Sequence, residues 1–504
     1  MNAVEWDEPA AVRETHVATV FLTGDRAYKV KKPVDVGFLD FRTRERRLAA
    51  CRREVELNRR LAPDVYLGVA DVSGVDGAVC DHMVVMRRMP TARRLSTLIA
   101  NKEPVADTVT GLARMIATFH AGSRRGPEIS AQGTRDAIAG RWEDSFTQVQ
   151  PWCDTVFGPG VLDEIIARTR SFLAGRAALF DARVAAGRIV DGHGDLLADD
   201  VFCLDDGPRV LDCLEFDDRL RYLDGLDDIA FLAMDLERLG APELAVLLLE
   251  RYAEFAGDPA PPALREHYLA YRAFVRAKVA CLRHAQGAAS AATQAATYAE
   301  LTLRHLRSGQ VRLILVGGLP GTGKSTVAGQ LADQLGAVLL SSDRLRKEQA
   351  AINPHDRAAA PFGDGIYTPA HTERVYTELL HRAEQLLAHG ETVILDASWT
   401  RQTGRDAAAA LATRTHSELR ALRCTAPATV TAARLRERTG TPSDADHTIA
   451  TAMTRTAQPW PEATDLDTTG SPAQTVATAL AAISGPEFPV ERGPASRAGE
   501  RLRL

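Results

Sequence analysis

The chain has 504 residues, 45% hydrophobic and 25% charged, with 61 basic against 66 acidic side chains and a net charge of −5. That length exceeds what one core usually serves, so two or three compact domains are expected. The balance excludes a fibrous or intrinsically disordered chain, and the sign of the charge excludes bulk attraction to nucleic acid or acidic lipid as the organising principle. Seven scattered cysteines, odd in number and without a C-x-x-C, argue against a disulfide framework or a zinc site and fit a reducing compartment. Met1 to Pro9 is polar and acidic, unlike a signal peptide, and no apolar run approaches the roughly 18 residues of a membrane helix, so a cytoplasmic protein without a membrane partner is expected. Only seven of the 61 basic residues are lysines. GC-rich coding accounts for the bias, but a lysine retained under it marks a place suited to a compact point charge.

In chain order, Thr15–Leu22 and Ala27–Lys32 read as strands around the turn Thr23-Gly24-Asp25-Arg26. An arginine-rich helix follows over Thr43–Leu61, stopped by Pro63, then strands at Val65–Val72 and His82–Met86. From Leu95 helical periodicity dominates, over Val105–Ala121, Leu162–Gly187 and Ala230–Phe255. Short strands interrupt it at Arg188–Asp191, Val201–Leu204 and Arg209–Leu214. The stretch 263–307 is helical and alanine-rich, a connector into a region where strands (Val311–Val316, Val338–Ser341, Thr392–Ala397, Leu419–Cys424) alternate with helices, the pattern of a parallel sheet. The expected division is 1–95, a small α/β lobe; 96–307, a mainly helical lobe; 308–484, a doubly wound α/β domain; and 485–504, a disordered tail rich in Pro, Gly and Arg. No internal repeat is present.

The first chemical signature is His193-Gly-Asp195-Leu-Leu-Ala-Asp199-Asp200. A protein-kinase catalytic loop has its base at the aspartate of H-x-D and an oxygen ligand for metal five positions later. Asp195 and Asp200 keep that spacing, and Asp212, ending a strand seventeen residues after Asp195, stands where a second metal carboxylate is needed. Two hard carboxylates on one side of a hairpin suit Mg²⁺; the alternative is an acidic loop of turn residues. Upstream, Lys29 lies in a strand and Glu54 in the next helix, placed to form the ion pair that holds α- and β-phosphates. Lys31, on the same strand face, rivals Lys29, and Glu56 rivals Glu54; a solvated charged surface is the alternative for both. No G-x-G-x-x-G loop is present, so the hairpin Leu22-Thr-Gly-Asp25 would have to cover the phosphates.

With Leu211-Asp212, Phe119-His120-Ala121 and Asp224-Gly-Leu-Asp227-Asp228-Ile-Ala, residues 15–280 resemble the aminoglycoside phosphotransferase family, kinase-like enzymes that include choline and other small-alcohol kinases. The resemblance implies a two-lobed protein-kinase-like fold, Asp195 as base, and Asp212 with the residue at position 200 on Mg²⁺. The family usually has Asn there; this chain has Asp200.

The second signature, Gly318-Leu-Pro-Gly-Thr-Gly323-Lys324-Ser325, matches the P-loop pattern in full, between a strand and a helix. Glycines turn backbone N–H groups inward at a helix N-terminus, Lys324 neutralises β/γ-phosphate charge and the Ser325 hydroxyl faces Mg²⁺. The nucleotide-binding set is Gly318, Pro320, Gly321, Thr322, Gly323, Lys324, Ser325 and Thr326. After the next strand, Asp343-Arg344-Leu345-Arg346 sets Asp343 to accept a hydroxyl proton, with Arg346 one helical turn on. The alternative is a capping Asp343 and a solvated Arg346. Thr392-Val-Ile-Leu-Asp396-Ala-Ser and Arg434-Leu-Arg-Glu-Arg438 complete the set. The i, i+4 spacing puts Arg434 and Arg438 on one helix face, able to clamp a phosphoryl group, unless that face is merely solvated. Residues 310–465 thereby resemble the small P-loop kinases, which include 5′-hydroxyl polynucleotide kinases, gluconate kinases and zeta-type toxins; Asp396 stands in what looks like their Walker-B-type strand, as a metal ligand, and Arg434-to-Arg438 resembles their lid. Residues 306–504 hold 22 basic and 21 acidic side chains, a balance that gives no support to a polynucleotide substrate.

The expectation is a fused double kinase, each site moving the γ-phosphoryl of MgATP to a hydroxyl of a small molecule. The alternative keeps only the P-loop kinase active, acting on nucleic-acid ends or toxin-like, with the N-terminal unit a nucleotide-binding regulator.

Overall fold

Alternating apolar side chains at Ala18, Val20 and Leu22 and the turn at Gly24–Asp25 build a hairpin of β2 (Ala18–Thr23) and β3 (Arg26–Lys31), preceded by β1 (Ala11–Glu14). With β4 (Tyr66–Ser73) and β5 (Val79–Arg87) they form an antiparallel sheet in the order β1-β2-β3-β5-β4. In this computed structural model, residues 10–14, 17–35, 40–353, 356, 364–437 and 447–484 are described. Two compact units divide the chain at 310/311.

In the first unit the helix Arg44–Asn58 starts at the Thr43 cap, whose hydroxyl accepts from Arg46 N at 3.3 Å. Its buried stripe Arg47, Cys51, Glu54, Asn58 follows the helical repeat and faces the sheet. The stripe therefore carries a carboxylate, Glu54, into an apolar layer. Beyond the sheet lie β6 (Ile189–Asp191), β7 (Val201–Leu204), β8 (Gly207–Val210) and β9 (Tyr222–Asp224), as the pairs β6–β9 and β7–β8. Phe202 and Leu211 join Cys51, Val55, Val84 and Met86 in one core, so the β7–β8 hairpin packs directly on the small sheet. The helices Ala106–Gly122, Gly225–Arg238, Pro242–Ala256, Pro262–Ala285 and Ala291–Ser308 make the large lobe.

Several expected elements are redrawn. The run 162–187 is broken at Gly175-Arg176 into Val161–Ala174 and Ala177–Ala185, and 230–255 at Gly240, which takes φ +79° before Pro242 starts a new helix. The stretch 263–307 is no bare connector: its two helices bury Tyr268, Phe274, Cys281 and Tyr298 within the first unit. The strand expected to end in Asp212 stops at Val210, and Asp212 itself is left-handed at φ +61°.

The second unit holds β10 (Arg312–Gly317), β11 (Val338–Ser341), β12 (Val393–Asp396), β13 (Glu418–Thr425) and β14 (Thr464–Asp467), all parallel, in the order β11-β12-β10-β13-β14. β12 is buried at all four positions, as a strand covered on both faces must be. Helices Lys324–Leu335 and Pro472–Ser484 pack on one core with Ile314, Val316, Ile394 and Leu422. β1, β9 and β14, each three or four residues long, had no counterpart in the sequence reading.

Candidate active sites

In the first unit Lys29 Nζ lies 2.9 Å from Glu54 and 2.8 Å from Asp212, joining β3, the Arg44–Asn58 helix and the segment after β8. Lys31 is no solvated rival. It is buried, pairs with the other Glu54 oxygen at 2.6 Å and with Glu215 at 2.6 Å. Glu56 instead faces outward and pairs with Arg53. Lys29 holds the Asp212 carboxyl below its ordinary range. Burial works against the Lys29 ammonium, but Asp212, Glu54 and Glu215 together raise it well above its ordinary value.

The catalytic-type loop hangs from the helix Gly225–Arg238, whose residues Gly225 to Leu236 are all buried. Asp228 accepts from the backbone of His193 (2.7 Å) and Gly194 (2.9 Å), and Asp235 accepts from Ala198 N at 3.0 Å. Asp228 also lies 2.9 Å from His120 Nε2, while His120 Nδ1 meets Tyr252 at 2.8 Å. Burial pushes Asp228 up, but the His120 hydrogen bond and charge outweigh it and hold the carboxyl well below the usual range. Arg272, clamped to Asp227 at 2.7 Å, reaches the Gly194 carbonyl. From the other side Arg60 donates to the carbonyls of Asp191 and Gly192 at 3.0 and 2.8 Å. His193 accepts from Asp195 N through Nδ1 and donates through Nε2 to the Leu211 carbonyl at 3.1 Å. Burial pushes its pKa down to about 4, so the ring is neutral and its tautomer fixed.

This scaffold leaves Asp195 half-buried at the loop crest. Burial first, and Asp212 after it, push its carboxyl up to about 6 against the pull of Arg276 and Arg272. Asp200, in the turn before β7, is raised well above its ordinary value by burial and by Asp212 and Asp195, with Arg94 opposing. Leu211 N donates to the Asp200 carbonyl at 3.0 Å, so Asp200 and Asp212 flank the open end of one hairpin. Among the described residues no group of three or more His, Cys, Asp or Glu could hold a metal ion. Mg²⁺ is commonly held by one or two carboxylates with substrate phosphates, and mutually repelling Asp200 and Asp212 fit that donor set.

In the second unit, positive φ at Gly318 (+139°), Gly321 (+82°) and Gly323 (+84°) winds the loop onto the helix Lys324–Leu335. A Cβ at Gly318 would meet the Cys424 carbonyl at 2.6 Å, and one at Gly321 the Thr431 carbonyl at 2.8 Å. Thr322 is buried, Lys324 half-buried, and Ser325 and Thr326 exposed; Pro320 sits buried at the crest. The register pairs Val316 and Ser341 with Asp396, bringing that buried carboxylate between the ends of β10 and β11. Burial pushes the neighbouring Cys424 thiol up to about 12, against Lys324 and with Asp396. Asp343 is half-buried in the first turn of Ser342–Gln349, whose cap position is Ser341. Arg346 is buried rather than solvated, donating to the Ile366 carbonyl at 2.8 Å and to Thr372 at 3.1 Å over the Tyr367 ring. Arg434 donates to the Thr468 carbonyl at 2.6 Å, and the Thr468 hydroxyl donates to the Thr322 carbonyl at 2.7 Å. The helix Ala428–Glu437 is thus tied to the phosphate loop. Arg438 and the tail 485–504 lie outside the described residues.

Sequence reasoning passed over Thr468, Arg60 and Arg272, and gave no role to Asp228, Asp235 or His120. One signal was available: three aspartates within the apolar run 226–236 must be buried, and a buried carboxylate must be hydrogen-bonded.

By fold and loop, the chain joins a two-lobed kinase-like unit to a P-loop domain; residues 313–460 match the family described as an AAA domain. An uncharacterized protein of Mycobacterium tuberculosis strain H37Rv and another of Mycobacterium bovis are each 44% identical over 465 residues, covering 92% of this chain and 93% of theirs. The chain belongs to the same family as these mycobacterial proteins. Among solved structures it is similar to a gluconokinase from Sinorhizobium meliloti 1021 (20% identity, 35% of this chain, 93% of that one, TM-score 0.27). It is also similar to a choline/ethanolamine kinase family protein from Mesorhizobium loti (16% identity, 60% and 93%, TM-score 0.37).

Proposed function

We propose that the protein is an ATP-dependent phosphotransferase with two sites, each moving a γ-phosphoryl group to a hydroxyl of a small molecule. The observation that carries the first site is the Lys29–Glu54–Asp212 chain, at 2.9 and 2.8 Å, beside a base held on a rigid loop. Lys29 binds the α- and β-phosphates once nucleotide displaces Asp212 from it. Asp195 orients the acceptor hydroxyl and takes its proton as the O–P bond forms and ADP leaves. Asp200 and Asp212 hold Mg²⁺, which when bound neutralises phosphate charge. At the second site the loop amides and Lys324 bind the β/γ-phosphates, Ser325 and Asp396 serve the metal, Asp343 accepts the hydroxyl proton, and Arg434 stabilises the transferring group. Arg346 acts by fixing the Ile366–Thr372 segment.

The test is ADP release from MgATP across sugars, amino-alcohols, aminoglycosides and nucleosides, with wild type, Asp195→Ala and Lys324→Ala in parallel. Each site is expected to serve acceptors that only its own variant loses. If no acceptor signal depends on Asp195, the double-kinase reading fails and the reading with a regulatory N-terminal unit stands.

A further inference from the structure

A cavity of about 830 Å³ opens between the C-terminal half of the helix Arg44–Asn58 and the helix Ala106–Gly122. None of Lys29, Asp195, Asp200 or Asp212 lines it, so it lies apart from the phosphotransfer residues. Four arginines line it, Arg53, Arg60, Arg114 and Arg124, against two carboxylates, Glu56 and Asp191. The carboxylates do not balance them. Asp191 is already paired at 3.0 Å with the buried Arg221, which does not line the cavity, and Glu56 points outward with its charge on Arg53. The Arg114 guanidinium stacks on Phe255 at 4.8 Å and has no hydrogen bond or ion pair among the described residues. Arg124 donates to the Tyr222 hydroxyl and stands 3.7 Å from Asp191. Arg53 meets Glu56 and Asp218, and Arg60 and Arg124 share Asp191 with Arg221 at 3.5 and 3.7 Å, so with Arg114 five guanidinium groups face three carboxylates. That excess focuses a positive field on the cleft, and guanidinium forks match phosphate oxygens. Leu57, Met115 and Phe119 supply apolar wall beside them, suited to a carbon skeleton rather than a bare ion.

The cavity also touches the machinery. Arg60, stacked on Phe119 at 5.0 Å, spans from the cavity to the carbonyls of Asp191 and Gly192, the residues before His193. We propose that this cavity binds a small phosphorylated metabolite, neither the nucleotide nor the acceptor, and that its occupancy restrains the catalytic loop through Arg60. The inference goes beyond the proposed activity and stands on the cavity whether or not the first site turns over.

Fructose 1,6-bisphosphate is the probe, since it carries two phosphates and no base. Titration calorimetry on the full chain is run with both nucleotide sites filled by a non-hydrolysable MgATP analogue, whose own binding is measured first. The probe is expected to bind, and Arg114→Ala with Arg124→Ala to weaken it by about tenfold or more. Both side chains are exposed, so the double variant keeps its fold, which its thermal unfolding checks. Hydrogen exchange of residues 189–195 is expected to slow on binding in wild type only. No binding at millimolar probe, binding indifferent to the double variant, or binding abolished by the analogue overturns the site. Binding without slowed exchange overturns the link to the loop. Failure of the analogue to bind would instead fall on the proposed function, so the two failures are separable.

Discussion

Two lysines, Lys29 and Lys31, share one fully buried carboxylate, Glu54, and of the two it is Lys29 that also pairs with Asp212. Lys31, itself held by Glu215, pairs with one Glu54 oxygen, which fixes the other toward Lys29. The same reasoning applies to the base. Burial lifts Asp195 to about 6, and Arg276 is the largest charge holding it down. An acid with a raised pKa takes up its proton early as pH falls, and a protonated base accepts nothing. Turnover at the first site is therefore expected to fall below about pH 6 in the pH profile of kcat/KM. Arg276→Ala removes the opposing cation and should move that midpoint upward by about one unit, with the P-loop site's profile unmoved. A midpoint that stays in place would mean that another group governs the limb.

At the scale of elements, one helix organises one site. Asp228 and Asp235 project from Gly225–Arg238 into the catalytic-type loop, and Arg272 reaches it from the neighbouring helix. Asp228→Ala leaves two loop N–H groups and His120 without their acceptor, and should cost about 3–5 kcal/mol in urea unfolding of the first unit, with loss of its turnover. Asp228→Asn keeps one carbonyl acceptor and should cost less. In the second unit the Thr468 hydroxyl ties the Ala428–Glu437 helix to the phosphate loop. Thr468→Val should raise the ATP KM of the Lys324-dependent reaction about fivefold, the worth of one hydrogen bond, and leave the Asp195-dependent reaction alone. These ties explain what the sequence displays and what it hides. The loop glycines, Lys324, Asp195 and Asp212 stand in fixed local spacings, because their chemistry needs neighbouring backbone. Arg60, Arg272 and Thr468 act on groups more than seventy residues away in the chain, and nothing local marks them. Short strands such as β9 and β14 escaped for the same reason: partners distant in sequence define them, not their own periodicity.

At the scale of the whole molecule, the two units separate at 310/311 and each holds the residues of one of the two proposed sites. Calorimetry at neutral pH should then show two transitions, each raised by its own ligand contacts. A non-hydrolysable MgATP analogue at about one hundred times its Kd should stabilise both by about 2.7 kcal/mol, Lys324→Ala removing only one increment and Lys29→Ala only the other. His267 identifies which transition belongs to the first unit. It is buried, stacked on Phe172 at 4.4 Å and accepting from Trp142 Nε1, and burial pushes its pKa down to about 3 from 6.5. A histidine depressed in the folded state stays neutral there while the unfolded chain takes up a proton. Below pH 6.5 it therefore costs stability at about 1.4 kcal/mol per pH unit until its folded pKa is reached. His267→Phe forfeits the Trp142 hydrogen bond, about 1 kcal/mol at neutral pH. Between pH 7.5 and 5 it should gain about 2 kcal/mol relative to wild type, in one transition only. A pH-independent difference, or a gain spread over both transitions, would mean either that His267 is charged in the folded protein or that the units unfold as one.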